Sequence, residues 1–163
     1  MRLNKISILC ILVTTLIVVG CKKSVVEEEK VVKNGVWNRF ETLDWNFYVT
    51  NAEECYDLWG IAEIDTTKLR DKELPLIVEL TSEAGEHRQW RAYMAVRDNS
   101  GKTIGKPSGT NKVLCQTKLR GYFFFNGKGT YSLKLKQGTS RYDIAGVERV
   151  KLKIEQSKLE YPK

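Results

Sequence analysis

Apolar and polar residues alternate along most of the chain after residue 35. The clearest stretches lie at 45–49, 74–80, 90–96, 131–135 and 150–154, where every second side chain is apolar. Successive side chains of a strand point to opposite faces of its sheet, so a period of two predicts strands that are buried on one face only. Antiparallel sheets with one face on a core and the other in water have this pattern.

Turn-forming residues separate these stretches at short intervals. Asp98-Asn99-Ser100-Gly101 predicts a hairpin turn leading to a strand at 102–105, and Asn126-Gly127-Lys128-Gly129 predicts a second turn. Only Thr66–Glu73 resembles a helix, and it is short. About seven to nine short strands joined in this way predict an all-β domain over residues 36–157, an antiparallel β-sandwich of jelly-roll or immunoglobulin-like form. A C-terminal tail is expected at 158–163.

The N-terminal segment follows a different pattern. Two basic residues precede a run at 6–19 that is almost free of polar side chains, as in a secretory signal. This run is too short to span a bilayer comfortably, which takes about 20 apolar residues. The small residue Gly20 before Cys21 is similar to a bacterial lipobox, in which the cysteine is lipidated and the signal is cleaved before it. We predict a lipoprotein signal peptide at 1–20 and a covalent lipid on Cys21; the alternative is an uncleaved anchor with an incidental cysteine.

The segment that follows Cys21 is rich in charge. Residues 22–34 contain four lysines and three consecutive glutamates, which predicts a flexible tether at 21–35 between the lipid and the sandwich. Lys22 and Lys23 stand where some lipoproteins exported to the cell surface carry acidic residues. This difference predicts a periplasm-facing protein, anchored in the cell membrane or the outer membrane.

The charge balance is basic, with 27 Lys and Arg against 20 Asp and Glu and a formal net charge of +7. An exported, lipid-anchored protein seldom meets nucleic acid, and the chain has no motif of a nucleic-acid-binding class. If a strand at 130–137 paired with one at 147–155, four lysines would share an outward face that attracts anionic surfaces: Lys134, Lys136, Lys151 and Lys153. The alternative is a solvated face whose lysines prevent edge pairing.

Two of the four cysteines lie at or before the lipidation site, which leaves Cys55 and Cys115. In an oxidising compartment this pair could form a disulfide, or both could stay as buried free thiols. The sequence provides no distance between them that would decide. Two cysteines and one histidine do not supply the ligands of a structural zinc site, so no metal is predicted.

No pattern in the chain points to catalysis. Ser100-Gly101-Lys102-Thr103 resembles the end of a phosphate-binding loop, but Val96 stands where the motif needs its first glycine. His87 is the single histidine and lies in a polar stretch, which predicts an exposed loop residue. We therefore expect no catalytic residue and no cofactor beyond the lipid on Cys21. An envelope hydrolase, or an inhibitor of one, would need a cleft that joins His87 to a carboxylate.

The sequence allows two interpretations of the aromatic residues. The rings of Trp37, Trp45, Trp59 and Trp90 could pack in the core or could form an open platform for sugars. Core packing is favoured for Trp45 and Trp90, which lie on apolar strand faces. In the run Tyr122–Phe125 neighbouring side chains point to opposite faces, so both sides of that strand need cover, from the second sheet or from a partner.

Several features follow one another in an order found in one lipoprotein family. After Cys21 come Gly35-Val36-Trp37 and Trp45-Asn46-Phe47. The chain closes with Gly129-Thr130-Tyr131, Asp143-Ile144-Ala145-Gly146-Val147 and a basic amphipathic stretch at 150–155. In this order of features the chain resembles the gliding-motility lipoproteins of the GldH type.

The resemblance implies a β-sandwich lipoprotein of the cell envelope that supports the movement of surface adhesins. Its partners would be proteins of the gliding or secretion apparatus, and its mechanism would be contact between proteins, without catalytic residues. The alternative function is a lipid-anchored module that binds glycan or another anionic envelope polymer.

Overall fold

The computed structural model describes residues 24–158, and these residues form an all-β fold of antiparallel sheets. The predicted sandwich is confirmed. The one helical turn in this range is the 3-10 turn Lys33–Gly35. Within the same range no helix has the length and apolar character needed to cross a membrane. The predicted signal peptide, Cys21 and all but the first residue of the predicted tail lie outside the described residues.

Two sheets and a short ribbon make up the fold. Sheet 1 has the order β1-β11-β4-β8-β7 and contains β1 (Ser24–Val31), β4 (Tyr56–Asp65), β7 (Lys106–Gly109), β8 (Lys112–Phe123) and β11 (Val147–Gln156). Sheet 2 has the order β3-β9-β5-β6 and contains β3 (Leu43–Val49), β5 (Glu73–Ser82), β6 (His87–Ala95) and β9 (Gly129–Gln137). The ribbon pairs β2 (Val36–Asn38) with β10 (Asp143–Ala145).

The core lies between the two sheets and follows the predicted alternation. In β3 every second residue from Leu43 to Val49 is buried, and the same pattern continues along β5, β9 and β11. Two tryptophans on the edge strands of sheet 2 form hydrogen bonds with sheet 1. The Trp45 Nε1–H donates to the Glu28 carbonyl at 3.1 Å, and the Trp90 Nε1–H donates to the Leu119 carbonyl at 2.9 Å. Each bond joins the edge of sheet 2 to sheet 1.

The predicted tether is wrong for residues 24–31, because these residues form β1. This strand pairs along its length with β11, and Val26 is only 8% exposed within the core. The acidic residues do not prevent a strand because all three are exposed at this edge of the sheet. Lys151 Nζ lies 3.3 Å from the Glu27 carboxylate, and Arg149 Nη1 lies 3.1 Å from the Glu29 carboxylate. The sandwich therefore begins at Ser24 and not at residue 36.

Two other local predictions, the helix at 66–73 and the strand at 102–105, also differ from the structure. The stretch predicted as a helix forms a turn closed by backbone bonds to the Asp65 carbonyl, which leads directly into β5. The predicted turn after β6 is confirmed, with the Asp98 carboxylate accepting bonds from the backbone N–H groups of Ser100 and Lys102. The residues after that turn make only an isolated bridge between Arg97 and Thr103, and the next strand begins at Lys106.

The strand directions define two ends of the sandwich. We call the end where β1 begins the basal end. There Ser24, Glu155 and Asp57 pair in one row across β1, β11 and β4. The distal end is the opposite one, where β4 finishes at Asp65 and β11 starts at Val147. Eight residue steps along β4, at about 3.3 Å each, place these ends about 26 Å apart.

Candidate interaction surfaces

The lysine face expected from the sequence does not form. β9 belongs to sheet 2 and β11 to sheet 1, so the outward lysines of the two strands lie on opposite sides of the sandwich. The first pair is Lys134 and Lys136, and the second is Lys151 and Lys153. A period of two identifies which residues point outward, but it does not identify the neighbouring strand. Three of the four lysines also lie within 4 Å of a carboxylate, at 3.7, 3.3 and 3.0 Å.

The two cysteines are separate, buried thiols, so the predicted alternative of a disulfide is wrong. Cys115 lies opposite Ala62 in the β4–β8 pair, whereas Cys55 precedes the first residue of β4. Seven residues of strand separate Cys55 from Ala62, about 23 Å, and a disulfide needs Cα atoms within about 7 Å. Burial raises the pKa of the Cys115 thiol, which keeps it protonated and unreactive.

The indole rings are engaged within the protein. Trp37 and Trp45 are fully buried, and the Trp90 ring packs on Phe123 with 6.0 Å between centroids. Core packing is therefore confirmed for Trp45 and Trp90. Trp59 lies on the outer side of sheet 1, beneath Lys118 Nζ at 4.8 Å from the ring centroid. These four indoles do not form an open, coplanar platform for a sugar.

His87 is exposed, as expected, but it is the first residue of β6 and not part of a loop. Its Nε2 lies 3.2 Å from Glu79 Oε1 across the β5–β6 pair, and Lys136 approaches the same carboxylate. Both partners lie on the solvent side of sheet 2. Within residues 24–158 no group of three or more His, Cys, Asp and Glu residues is placed to hold a metal ion.

A group of exposed aromatic residues occupies the distal end. Phe40 is 73% exposed and Tyr142 65%, and their ring centroids lie 5.9 Å apart. The Arg39 guanidinium lies 5.7 Å from both ring centroids. The ribbon holds these residues in place, because the Arg39 N–H donates to the Tyr142 carbonyl at 2.7 Å. We call Arg39, Phe40 and Tyr142 the distal patch. Its members lie in two distant segments, so no sequence signal brings them together.

A groove of about 450 Å³ lies on the outer side of sheet 1, toward the distal end. Its apolar lining comes from Ile61, Leu114 and Ile104. The loop with Ile104 is tied to the sheet by a bond from the Cys115 thiol to the Ile104 carbonyl, 3.2 Å long. An ion pair between the exposed Arg149 and the buried Glu63, with Arg149 Nε 3.0 Å from Glu63 Oε2, also lines the groove. The groove therefore suits an amphipathic segment better than a purely apolar one.

The Asp57 carboxylate organises the basal end. It accepts bonds from Lys118 Nζ at 2.8 Å, from the Ser157 hydroxyl at 2.7 Å and from the Tyr122 backbone N–H at 3.2 Å. Partial burial alone would raise the pKa of Asp57, but these hydrogen bonds and the Lys118 charge together hold it below its usual value. The register of the β4–β8 pair shifts on either side of Leu58, so Asp57 supplies an acceptor at an irregular part of the ladder.

The aromatic run next to this carboxylate is covered on one side only. Phe123 and Phe125 are buried in the core, whereas Tyr122 is 56% and Phe124 54% exposed. Arg88 lies over the Phe123 ring, with its guanidinium 4.8 Å from the centroid. The second sheet thus covers one face of this segment, and its other face is open.

Comparison with known families matches residues 24–154 to the family described as GldH lipoprotein. Neither the curated proteins nor the solved structures contain a match to the chain. The matched span runs from the first residue of β1 to Ile154, near the end of β11, and so includes both sheets. The chain therefore belongs to the GldH lipoprotein family and is a membrane-associated lipoprotein.

Proposed function

We propose that this protein is a non-catalytic component of the gliding-motility apparatus, or of an envelope machine derived from it, and that it works by binding other proteins. The family match supports this role. In this proposal residues 1–20 are the signal peptide and a lipid on Cys21 holds the protein in the membrane. Lys22 and Lys23 favour a periplasm-facing orientation.

The distal patch is the observation that supports a contact function most directly. Exposed aromatic side chains beside an arginine are the residues that dominate the binding energy of protein interfaces. Phe40 and Tyr142 are held by the ribbon, so little conformational entropy is lost when a partner covers them. The patch lies at the far end from β1's first residue, where a protein standing on its anchor meets other envelope proteins.

The groove on sheet 1 provides a second surface for contact with a protein partner. It lies in the distal half of the sheet, and its lining combines Ile61 and Leu114 with the Arg149–Glu63 ion pair. Charges held by an ion pair in a groove select partners by electrostatic complementarity. A partner segment with apolar and polar side chains would match this lining.

The glycan-binding alternative finds less support. Sugar platforms need open, flat rings, and the four indoles are buried or covered. The rings of Phe40 and Tyr142 are open, but their planes differ by 55°, which prevents both from stacking on one flat sugar face.

The decisive experiment is in-cell crosslinking with a photoreactive amino acid at position 40 of the lipidated protein. Tyr93 provides the matched position, because it is also an exposed aromatic residue but lies on the outer side of sheet 2. We expect position 40 to crosslink to subunits of the motility or secretion machinery and position 93 to give no such product. The same products from both positions would contradict a specific contact. Recovery of polysaccharide in place of protein would favour the glycan alternative.

A further inference from the structure

The path of the chain places the lipid anchor at the basal end. β1 begins at Ser24, and only two residues separate Ser24 from Cys21. Consecutive Cα atoms are 3.8 Å apart, so the Cα atom of Cys21 lies within about 11 Å of that of Ser24. A lipid on Cys21 therefore holds the basal end, and not a distant domain, at the bilayer surface.

The register of the sheet places Tyr122 at the same level. Ser24 pairs with Glu155, Glu155 pairs with Asp57, and the Asp57 carboxylate accepts the Tyr122 backbone N–H. These residues cross four neighbouring strands that lie about 4.8 Å apart, so Tyr122 is about 14 Å from Ser24 along one row. Phe124 follows the end of β8 and extends beyond this row.

The side chains at this position suit a bilayer interface. Tyr122 and Phe124 are exposed, on the face of their segment that the sandwich leaves open. Arg120 is exposed as well and forms no ion pair with any of the residues 24–158. Aromatic rings settle at the headgroup level of bilayers, and arginine forms bidentate bonds with lipid phosphate.

The backbone conformation of Tyr122 is a second observation that indicates a functional surface at the basal end. Its φ of 50° lies in the left-handed region, which is unfavourable for a bulky side chain. The hydrogen bond to Asp57 holds this conformation. Strained residues that the surrounding structure maintains are concentrated at functional positions. Here the strain turns a large aromatic ring outward at the basal end.

We propose that the basal end rests on the bilayer, with Tyr122 and Phe124 in the headgroup region and Arg120 on lipid phosphates. The proposal depends on the proposed lipidation of Cys21. Acidic residues at the same end, Glu53 and Glu83, are exposed and disfavour a flat contact. The sandwich therefore tilts so that its β8 side approaches the lipid while these carboxylates stay in water.

The test uses the full lipidated protein in vesicles of phosphatidylethanolamine and phosphatidylglycerol. A nitroxide is attached at Phe124→Cys, and for comparison at Ile104→Cys, which is exposed near the distal end. Both native cysteines of the sandwich are buried, so the added thiol takes the label. Collision rates are measured with oxygen, which partitions into lipid, and with a nickel chelate, which stays in water. Gln89→Cys, an exposed position that lines one groove with Tyr122 and Phe124, is the second basal position if Phe124→Cys fails to fold.

We expect the basal label to lose access to the nickel chelate and to keep access to oxygen, while the distal label meets both. Arg120→Glu should restore access of the chelate at the basal position. Equal access of the chelate at both positions, in protein that floats with the vesicles, would overturn the basal contact and leave the anchor intact. A basal label shielded from both probes would mean that a second copy of the chain covers it, which also overturns the proposal. Labelling of Cys21 in protein that fails to float would overturn the lipidation, and the basal contact with it.

Discussion

The backbone N–H of Tyr122 donates to Oδ1 of Asp57 over 3.2 Å and thereby joins the end of β8 to the start of β4. The same carboxylate binds Lys118 and the Ser157 hydroxyl, so β4, β8 and the segment after β11 meet at one side chain. Lys118 Nζ in turn lies over the rings of Trp59 and Tyr122. The position of the basal aromatic residues thus depends on a single aspartate.

Replacing Asp57 with asparagine should destabilise the protein. The amide keeps the shape of the side chain but loses the charge that binds Lys118, and its NH₂ group cannot accept a hydrogen bond. We expect the free energy of unfolding to fall by about 1–3 kcal/mol, measured by urea titration. Asp44→Asn is the matched variant, because Asp44 is exposed on β3, and its change should stay within about 0.5 kcal/mol. Equal midpoints for the two variants would contradict the role of Asp57.

The same aspartate should contribute to the dependence of stability on pH. Its pKa is lower in the folded protein than in the unfolded chain, where it is about 3.9. Such a group stabilises the fold above the unfolded pKa, and this contribution is lost as the pH falls through the lower, folded pKa. Urea titrations across this acidic range should show a steeper loss of stability for the wild type than for Asp57→Asn. Parallel curves would show that the carboxylate charge does not contribute.

A charge introduced into β1 should distinguish a strand from a tether. Val26 is buried and Val31 is exposed on the same strand. Val26→Asp places a carboxylate in the core and should cost about 2–4 kcal/mol, whereas Val31→Asp should change stability by less than about 0.5 kcal/mol. Thermal or urea unfolding of both variants measures the difference. If neither substitution changed the midpoint, residues 24–31 would not be part of the folded sandwich.

The two sandwich cysteines should behave as protected free thiols. Native protein should not react with a maleimide at Cys55 or Cys115, since both are buried, and both should react after denaturation without a reductant. Ser108→Cys, at an exposed position of β7, should react in the native state and shows that the reagent is active. The products are counted by intact mass. Denatured protein that reacts only after reduction would reveal a disulfide.

The sequence predicted those parts of the fold that depend on neighbouring residues. Alternation identified the inward and outward residues of β3, β5, β9 and β11, because a strand's faces depend only on its own side chains. It could not show that β9 and β11 belong to different sheets, since strand partners are chosen by contacts between distant segments. The expected lysine face was wrong for this reason.

The interaction surfaces were less predictable than the core. The sequence indicates a tether in place of β1 because an edge strand exposes most of its side chains, and a run of three glutamates resembles disordered sequence. The distal patch arises only when the ribbon brings Phe40 beside Tyr142. The need for cover on both sides of Tyr122–Phe125 was visible in the sequence, and the structure shows which side remains open.

The pairing of β1 with β11 determines how the protein bears mechanical load. If the distal end is pulled while the lipid holds the basal end, the force enters at the first residue of β1 and acts along the strand axis. The bonds between β1 and β11 run across that axis, so they are loaded in shear and must break together instead of one after another. If Cys21 carries the proposed lipid, β1 therefore acts as a mechanical clamp.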